Sequence, residues 1–356
     1  MPLVEHSALP TFRDLRRQGQ IVLRPEDIAG RDLRLMHVGL LNMMPDAAFQ
    51  ATERQFIRLV AGSTEAALFY MHPFTVDGLP RSHDTQAYIA EYYETTTSIC
   101  SGPLDALIVT GTNVANPDLA QEPFYEPLTE VIRWADRNVT SVLCSCLATH
   151  AVLRSLHGMV RTRLPRKRWG VFGHEVVAPD HPLVYGMPER FDVPHSRYND
   201  ISREQFQAAG LDILIESAEA GVHAAVSRGD IRRVYWQGHS EYDVNSLLKE
   251  FKREVLRHFN GERDLPGFPE HYIPDDAAAK LTEYLARAQR AHQAGKVLPE
   301  FPETAVVAAL ENSWAAAGQL FIHNWLGSVL RLTTSSDSRW DTETDERRNS
   351  RHPRRL

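Results

Sequence analysis

A chain of 356 residues, 43% hydrophobic and 24% charged, has the length and apolar content for one large α/β domain or two smaller ones. Its formal net charge of −7 offers no electrostatic case for nucleic-acid binding, and no apolar run approaches the length of a membrane span. The three cysteines are too few, and odd in number, for a disulfide framework, and residues 1–15 lack the apolar segment of a secretory signal, so a reducing, cytoplasmic compartment is expected.

Residues 1–33 mix Pro, Arg and polar side chains without periodicity and read as an N-terminal extension. A single domain is expected over 34–334. Its first strand is RLMHVGLLNM (34–43), followed by an amphipathic helix over ATERQFIRLVAG (51–62), with Phe56, Ile57, Leu59 and Val60 as the apolar residues. AALFYMH (66–72) is the next strand, 84–99 is helical, and DALIVTG (105–111) is a strand ending at a glycine. A helix over 123–137 precedes the strand SVLCS (141–145). The alternation of strand and helix predicts a mostly parallel sheet covered on both faces, with function at the carboxyl ends of its strands. RTRLPRKR (161–168) reads as a solvated basic loop. Beyond 190 the pattern turns β-rich, with DILIES, HAAVSR and RRVYWQG in quick succession. SLLKEFKREVLRHF (246–259) is a helix with Leu248, Phe251, Val255 and Phe259 along one stripe. Residues 260–305 enclose one helix between Pro- and Gly-containing segments and read as an insertion. QLFIHNWLGSVLRLT (319–333) is a last apolar helix, and 335–356 reads as a disordered polar tail.

Two of the three cysteines fall in SVLCSCLATH (141–150). A strand turning sharply into a helix exposes the residue at the turn, the geometry known best from G-x-S-x-G. Here that residue is Cys146, at a helix N-terminus that favours thiolate, with the Leu147 N–H free to stabilise an oxyanion. Neither flanking residue is glycine, and cysteine is among the most often buried residue types. The decapeptide alone therefore supports a catalytic and a packing thiol equally. Cys144 lies within the strand and reads as packing. C-S-C supplies neither a metal-ligand set nor a C-x-x-C redox pair, so no metal is expected. Far downstream, VYWQGHSEYD (234–243) breaks at Gly238 and delivers His239 and then Glu241. Residues i and i+2 of an extended chain share a face, so Glu241 can fix the His239 tautomer as the third member of a triad. The alternative is a surface His–Glu pair.

CLATHAVLRSLHG, GHSEYDVNSLLKEF and PHSRYND, with LNMMPD (41–46) and QLFIHNWLGSVL, resemble the homoserine O-acyltransferase family of methionine biosynthesis, homoserine O-succinyltransferase type. The resemblance runs from about residue 35 to about 333. It implies a fold like the class I glutamine amidotransferases, flavodoxin-like with a helical insertion near the C-terminus, and ping-pong acyl transfer with no bound cofactor. Cys146 would take a succinyl group from succinyl-CoA as co-substrate, and His239, oriented by Glu241, would deprotonate the γ-hydroxyl of L-homoserine. Arg253 matches the family's arginine for the substrate α-carboxylate, and Lys167 and Ser196 match positions lining the site. Ordinary alternatives are a basic loop for Lys167, a capping hydroxyl for Ser196, and solvent for Arg253, which lies off the apolar stripe. The Gly111–Thr112 turn would add a second oxyanion N–H, from Thr112, to that of Leu147. Ala115 falls at the donor-sorting position, where a small uncharged residue suits succinyl. Asp46 departs from the pattern, because the family usually has a basic residue there, and no phosphate-cradling glycine loop marks the CoA site. The implied partners are small-molecule substrates and a second copy of the chain in a homodimer. The alternatives are an acetyl-CoA-dependent homoserine or serine acetyltransferase and, from another class, a glutamine amidotransferase-like cysteine hydrolase.

Overall fold

The computed structural model describes residues 3–28, 34–62 and 67–340, with 334–340 as helix backbone only. Its first half runs β1 (Leu3–Val4), α1 (Pro10–Arg17), β2 (Val22–Leu23), α2 (Pro25–Ile28), β3 (Arg34–Leu41), α3 (Phe49–Ala61) and β4 (Ala67–Phe74), then α4 (His83–Tyr92), α5 (Thr96–Ser101), β5 (Ala106–Val109), α6 (Tyr125–Asn138), β6 (Ser141–Ser145) and α7 (Leu147–His157). The second half is β7 (Thr162–Val176), β8 (Arg190–Asp200), α8 (Arg203–Ala208), β9 (Leu211–Ser217), β10 (Gly221–Ser227) and β11 (Arg233–Trp236). Four helices close the chain: α9 (Ser246–Phe259), α10 (Asp275–Gln293), α11 (Glu303–Val307) and α12 (Ala315–Trp340).

All eleven strands join one sheet in the order β2-β1-β4-β3-β5-β6-β11-β10-β9-β7-β8. From β2 to β11 the neighbours are parallel, and from β11 to β8 they are antiparallel. The inner parallel strands β4-β3-β5-β6-β11 stand in the 2-1-3-4-5 order of flavodoxin-like sheets, so the chain direction across the sheet reverses between β3 and β5. Connections there leave in opposite directions and open a crevice at the carboxyl ends. Alternation along the strands supplies both faces with apolar side chains. Met36, Val38 and Leu40 of β3 pack with Phe56 and Val60 of α3 and Trp325 of α12, while Leu107 and Val109 of β5 pack with Ile132 of α6 and Val152 of α7.

The expected α/β architecture is what the structure contains, with four differences of detail. The N-terminal segment is part of the body: Leu3 pairs with Val22 and Phe69, and Leu9, Phe12 and Leu15 are buried against the sheet. Sheet-edge strands of two residues are too short to show a period in sequence. RTRLPRKR is no loop but the start of β7, whose polar side chains reflect its exposed faces. The single helix expected over 84–99 is two, because Tyr93–Thr95 is extended and Thr95 caps a new helix by accepting from the Ser98 N–H (3.1 Å). The last helix continues through Trp340, into the segment read as a tail; residues 341–356 lie outside the described residues.

Residues 260–305 pack on α9 and β7. Leu281 and Tyr284 of α10, Val306 of α11 and Phe301 share a core with Trp169, Leu248, Phe251, Val255 and Phe259, the last four being the α9 stripe. This third core backs α9 along its apolar stripe.

Cys144 is fully buried in the core under α6 and α7, and burial pushes its thiol up to about 12. Cys144→Ala is expected to cost about 1–2 kcal/mol in urea unfolding through the lost packing, with the acyl-transfer rate retained. A large loss of rate at unchanged stability would give Cys144 a chemical role.

Candidate active site

β6 and β11 are parallel neighbours in register, Ser145 opposite Trp236, and their ends bring together segments far apart in sequence. At the end of β6 the Cys146 N–H donates to Trp236 O (2.8 Å), and the chain then enters α7. Cys146 has φ +53° and ψ −113°, a conformation rarely tolerated by a residue with a Cβ. The turn is braced by the Thr149 hydroxyl, which lies 2.8 Å from Cys144 O and 2.7 Å from Trp236 O. Cys144 and Cys146 therefore differ by position: one is enclosed in the sheet, the other presented at its edge.

Three residues past Trp236, His239 is almost wholly buried. Its Nδ1 is 2.7 Å from Glu241 Oε1, so the carboxylate holds the proton on Nδ1 and leaves Nε2 for chemistry. Tyr242 stacks on the imidazole, ring centroids 4.3 Å apart and 15° from parallel. Buried hydrogen bonds grip the turn on both sides. His239 N–H donates to Pro194 O (2.8 Å), Gly238 N–H donates to His223 Nδ1 (3.2 Å), and the Ser240 hydroxyl lies 3.3 Å from His223 Nε2. Gly238 is required by packing, since a Cβ there would lie 2.5 Å from Val193 Cγ1 and 2.9 Å from the His195 ring. From α3, Arg58 donates to Glu241 O (3.3 Å) and, with Arg54 and Gln55, binds the Asp243 carboxylate.

Burial alone would depress the His239 pKa. The Cys146 sulfur and the Glu241 carboxylate overcome it and raise the value from 6.5 to about 10. An imidazole so placed is charged at neutral pH beside the Cys146 sulfur.

Gly111, at the end of β5, forms a wall beside the sulfur. A methyl group on it would stand 3.4 Å from Cys146 Cβ, 3.5 Å from Leu147 N and 3.8 Å from Cys146 Sγ. The residue in direct apposition to Cys146 is thus Gly111, with Thr112 next along the turn. Glu122 holds the following loop, its Oε1 accepting from Ala115 N and Asn116 N, both at 2.6 Å. Ala115 is exposed on that loop.

The other residues singled out in the sequence also converge. Lys167 on β7 and Ser196 on the neighbouring β8 both reach Glu250 Oε1 of α9, at 2.5 and 2.9 Å. Trp169 Nε1 donates to Glu250 Oε2 (3.2 Å), and Arg253 Nη2 lies 3.6 Å from Glu250 Oε1. Arg253 also pairs with Glu254 (3.3 Å) while keeping 48% of its side chain exposed. Glu250 is the hub that sequence reasoning missed. Burial disfavours its charge, but Lys167, Arg253 and Ser196 together hold its pKa below the ordinary value. The spacing Glu250–Arg253, one helical turn on the face away from the apolar stripe, was the available signal. The Ser196 hydroxyl thus donates to Glu250 rather than capping a helix, and Lys167 extends from a strand.

Asp46 is engaged locally: its Oδ2 accepts from Ser82 N (2.8 Å), with Arg81 3.8 Å away. Elsewhere, His6, His72 and Glu94 gather ligand-type atoms within 4.8 Å of one another. Both His72 nitrogens have protein partners there, Glu94 at 2.5 Å and His37 at 2.9 Å, and β4 lies three strands along the sheet from β6.

A flavodoxin-like sheet that presents a thiol on a strained strand–helix turn, beside a carboxylate-held imidazole, is an α/β architecture with the geometry of a nucleophile elbow. Residues 2–335 match the family model described as "HTS: Homoserine O-succinyltransferase". Similar curated proteins include the homoserine O-succinyltransferases of Methylococcus capsulatus and Thioalkalivibrio nitratireducens, each 54% identical over 334 residues and covering 94% of both chains. The chain belongs to the homoserine O-succinyltransferase family and is an acyltransferase of methionine biosynthesis. Among solved structures, a glutamine amidotransferase from Methylobacillus flagellatus is similar at 13% identity with a TM-score of 0.46, over 83% of this chain and 96% of that one. Among the described residues, no helix is long and apolar enough to cross a membrane.

Proposed function

We propose that the protein transfers succinyl from succinyl-CoA to L-homoserine through a thioester on Cys146. The observation that carries the reading is the thiol at φ +53° beside an imidazole held 2.7 Å from Glu241. Cys146 Sγ attacks the thioester carbonyl of the donor, and the N–H groups of Leu147 and of the Gly111–Thr112 turn receive the oxyanion. Collapse expels CoA, whose sulfur takes the proton from His239 Nε2. In the second half the homoserine γ-hydroxyl gives its proton to His239 as its oxygen attacks the acyl-enzyme. The tetrahedral adduct then breaks at the C–S bond, releasing O-succinylhomoserine and restoring the thiolate. The strained turn presents the Cys146 sulfur at the sheet's carboxyl end, and the charged imidazole stands beside it before substrate arrives.

The acceptor is assigned to the α9 side of the site. The half-exposed Arg253 guanidinium takes the α-carboxylate of homoserine, and Glu250, held by Lys167 and Ser196, offers a carboxylate to the α-ammonium. Ala115, small and uncharged on the loop after Gly111, leaves room for the four-carbon acyl group. All three cysteines are free, and a working thiol with a CoA-linked donor fits a reducing cytoplasm.

The test is to mix the protein with succinyl-CoA without acceptor and measure intact mass and released CoA. A gain of one succinyl group per chain with matching CoA release is expected; acetyl transfer alone, or glutamine hydrolysis with no adduct, would displace the reading. Arg253→Ala should raise the homoserine KM by about 10- to 100-fold and leave the half-reaction with succinyl-CoA nearly intact. Loss of the adduct in that variant would remove Arg253 from the acceptor side.

A further inference from the structure

A succinyl group differs from an acetyl group by a terminal carboxylate, and an anion taken from water needs a cation to meet it. Most cations near Cys146 are already paired. Lys167 is bound to Glu250 (2.5 Å), Arg253 to Glu250 and Glu254, and Arg197 and Arg168 to Asp200 (2.9 and 2.8 Å). Arg161, at the start of the hairpin after α7, is different. Its Nη2 donates to two backbone carbonyls, Asn116 O (3.1 Å) and Pro117 O (3.4 Å), rather than to a carboxylate, and its Nε, like that of Arg197, is buried without a partner.

Those carbonyls belong to the loop that starts at Gly111 against the sulfur and passes Ala115. The nearby carboxylates act on Arg161 through space and make their hydrogen bonds and ion pairs with other groups. Glu122 spends Oε1 on two loop amides, and Asp118 pairs with Arg154 (3.7 Å). Burial holds the Arg161 pKa below its ordinary value; Glu122, Asp118 and the Cys146 side chain partly offset this, and Arg163 adds to it. The loop that begins at Gly111 against the sulfur is thus the one on which Arg161 docks, and an incoming anion would relieve the cost of burying that guanidinium.

We propose that Arg161, docked on the Asn116–Pro117 carbonyls, forms the subsite for the terminal carboxylate of the succinyl group. A four-carbon acyl chain on Cys146 carries its carboxylate roughly 5 Å beyond the sulfur, across the loop that holds Ala115 and toward the guanidinium. Ala115 supplies the space and Arg161 the charge, so donor choice is divided between two residues. The inference rests on the thioester reading given above.

The test compares wild type, Arg161→Met and Arg161→Lys with succinyl-CoA and with butyryl-CoA, which keeps the chain length and lacks the carboxylate. Thermal unfolding of each variant is measured in parallel. Arg161→Met is expected to lower the succinyl-to-butyryl ratio of kcat/KM by about 10- to 100-fold, and Arg161→Lys to lower it less. Equal losses with both donors would make Arg161 a CoA or structural contact and overturn the proposal, as would an unchanged ratio. Failure of wild type to form a succinyl adduct on Cys146 would sink the thioester reading and this subsite together; an adduct with an unchanged ratio would sink the subsite alone.

Discussion

Cys146→Ala is expected to abolish the succinyl adduct and to lower the rate of O-succinylhomoserine formation by about four to six orders of magnitude, with folding intact. The effect is large because two half-reactions share one sulfur. Without it, homoserine would have to attack succinyl-CoA directly, with both substrates held in a site shaped for their sequential use. The oxyanion N–H groups and His239 would remain, so a small residual rate is expected. Alanine also relieves little of the strain at φ +53°, since it too carries a Cβ. Stability should change little. Intact mass after incubation with succinyl-CoA, together with initial rates, checks both halves; an adduct persisting in Cys146→Ala would move the acyl group to another residue.

The second large effect concerns the charge behind the imidazole. Glu241→Gln keeps the shape and removes the carboxylate 2.7 Å from Nδ1. With Glu241 present the His239 pKa is raised from 6.5 to about 10, so the imidazolium persists beside the Cys146 sulfur through neutral pH. Removing one of its two counter-charges lowers that pKa, and an amide can present its NH2 to Nδ1 and favour the wrong tautomer. A loss of about two to four orders of magnitude in kcat/KM is expected, with the alkaline limb of the profile shifted to lower pH. The same pair enters stability. A histidine whose folded pKa lies above its unfolded value stabilises fully below pH 6.5, and the contribution is lost as pH rises through about 10. Wild type should lose stability in urea over that interval, and Glu241→Gln should lose less of it. Coincident pH–rate profiles would make Glu241 a structural partner of the turn and nothing more.

Much of the molecule was legible before any coordinates. The strand–helix alternation, the stripe of Leu248, Phe251, Val255 and Phe259, and the strand ends at Gly111 and Cys146 follow from local periodicity, which short-range sterics and burial impose on any chain. The edge strands of the N-terminal segment were not legible, because two residues carry no period. β7 was hidden because its first residues are charged on both faces. The last described turns of α12, up to Trp340, lay in a stretch whose composition alone suggested a tail.

The candidate site divides in the same way. Local sequence determined that Cys146 stands at a turn, that His239 and Glu241 follow a strand end, and that a helix carries Arg253. His239 and Glu241 meet not through the expected extended chain but in a turn past β11, where Tyr242 N–H donates to His239 O (3.2 Å). Only the tertiary structure decided that β6 and β11 lie side by side, so that the two turns meet, because parallel pairing joins segments that no local pattern links. It alone made Glu250 the common partner of Lys167, Ser196 and Arg253, and brought Arg161 onto the Asn116–Pro117 carbonyls. A charge has meaning only through its neighbours, and those neighbours are set by the packing of the whole sheet rather than by the adjoining sequence.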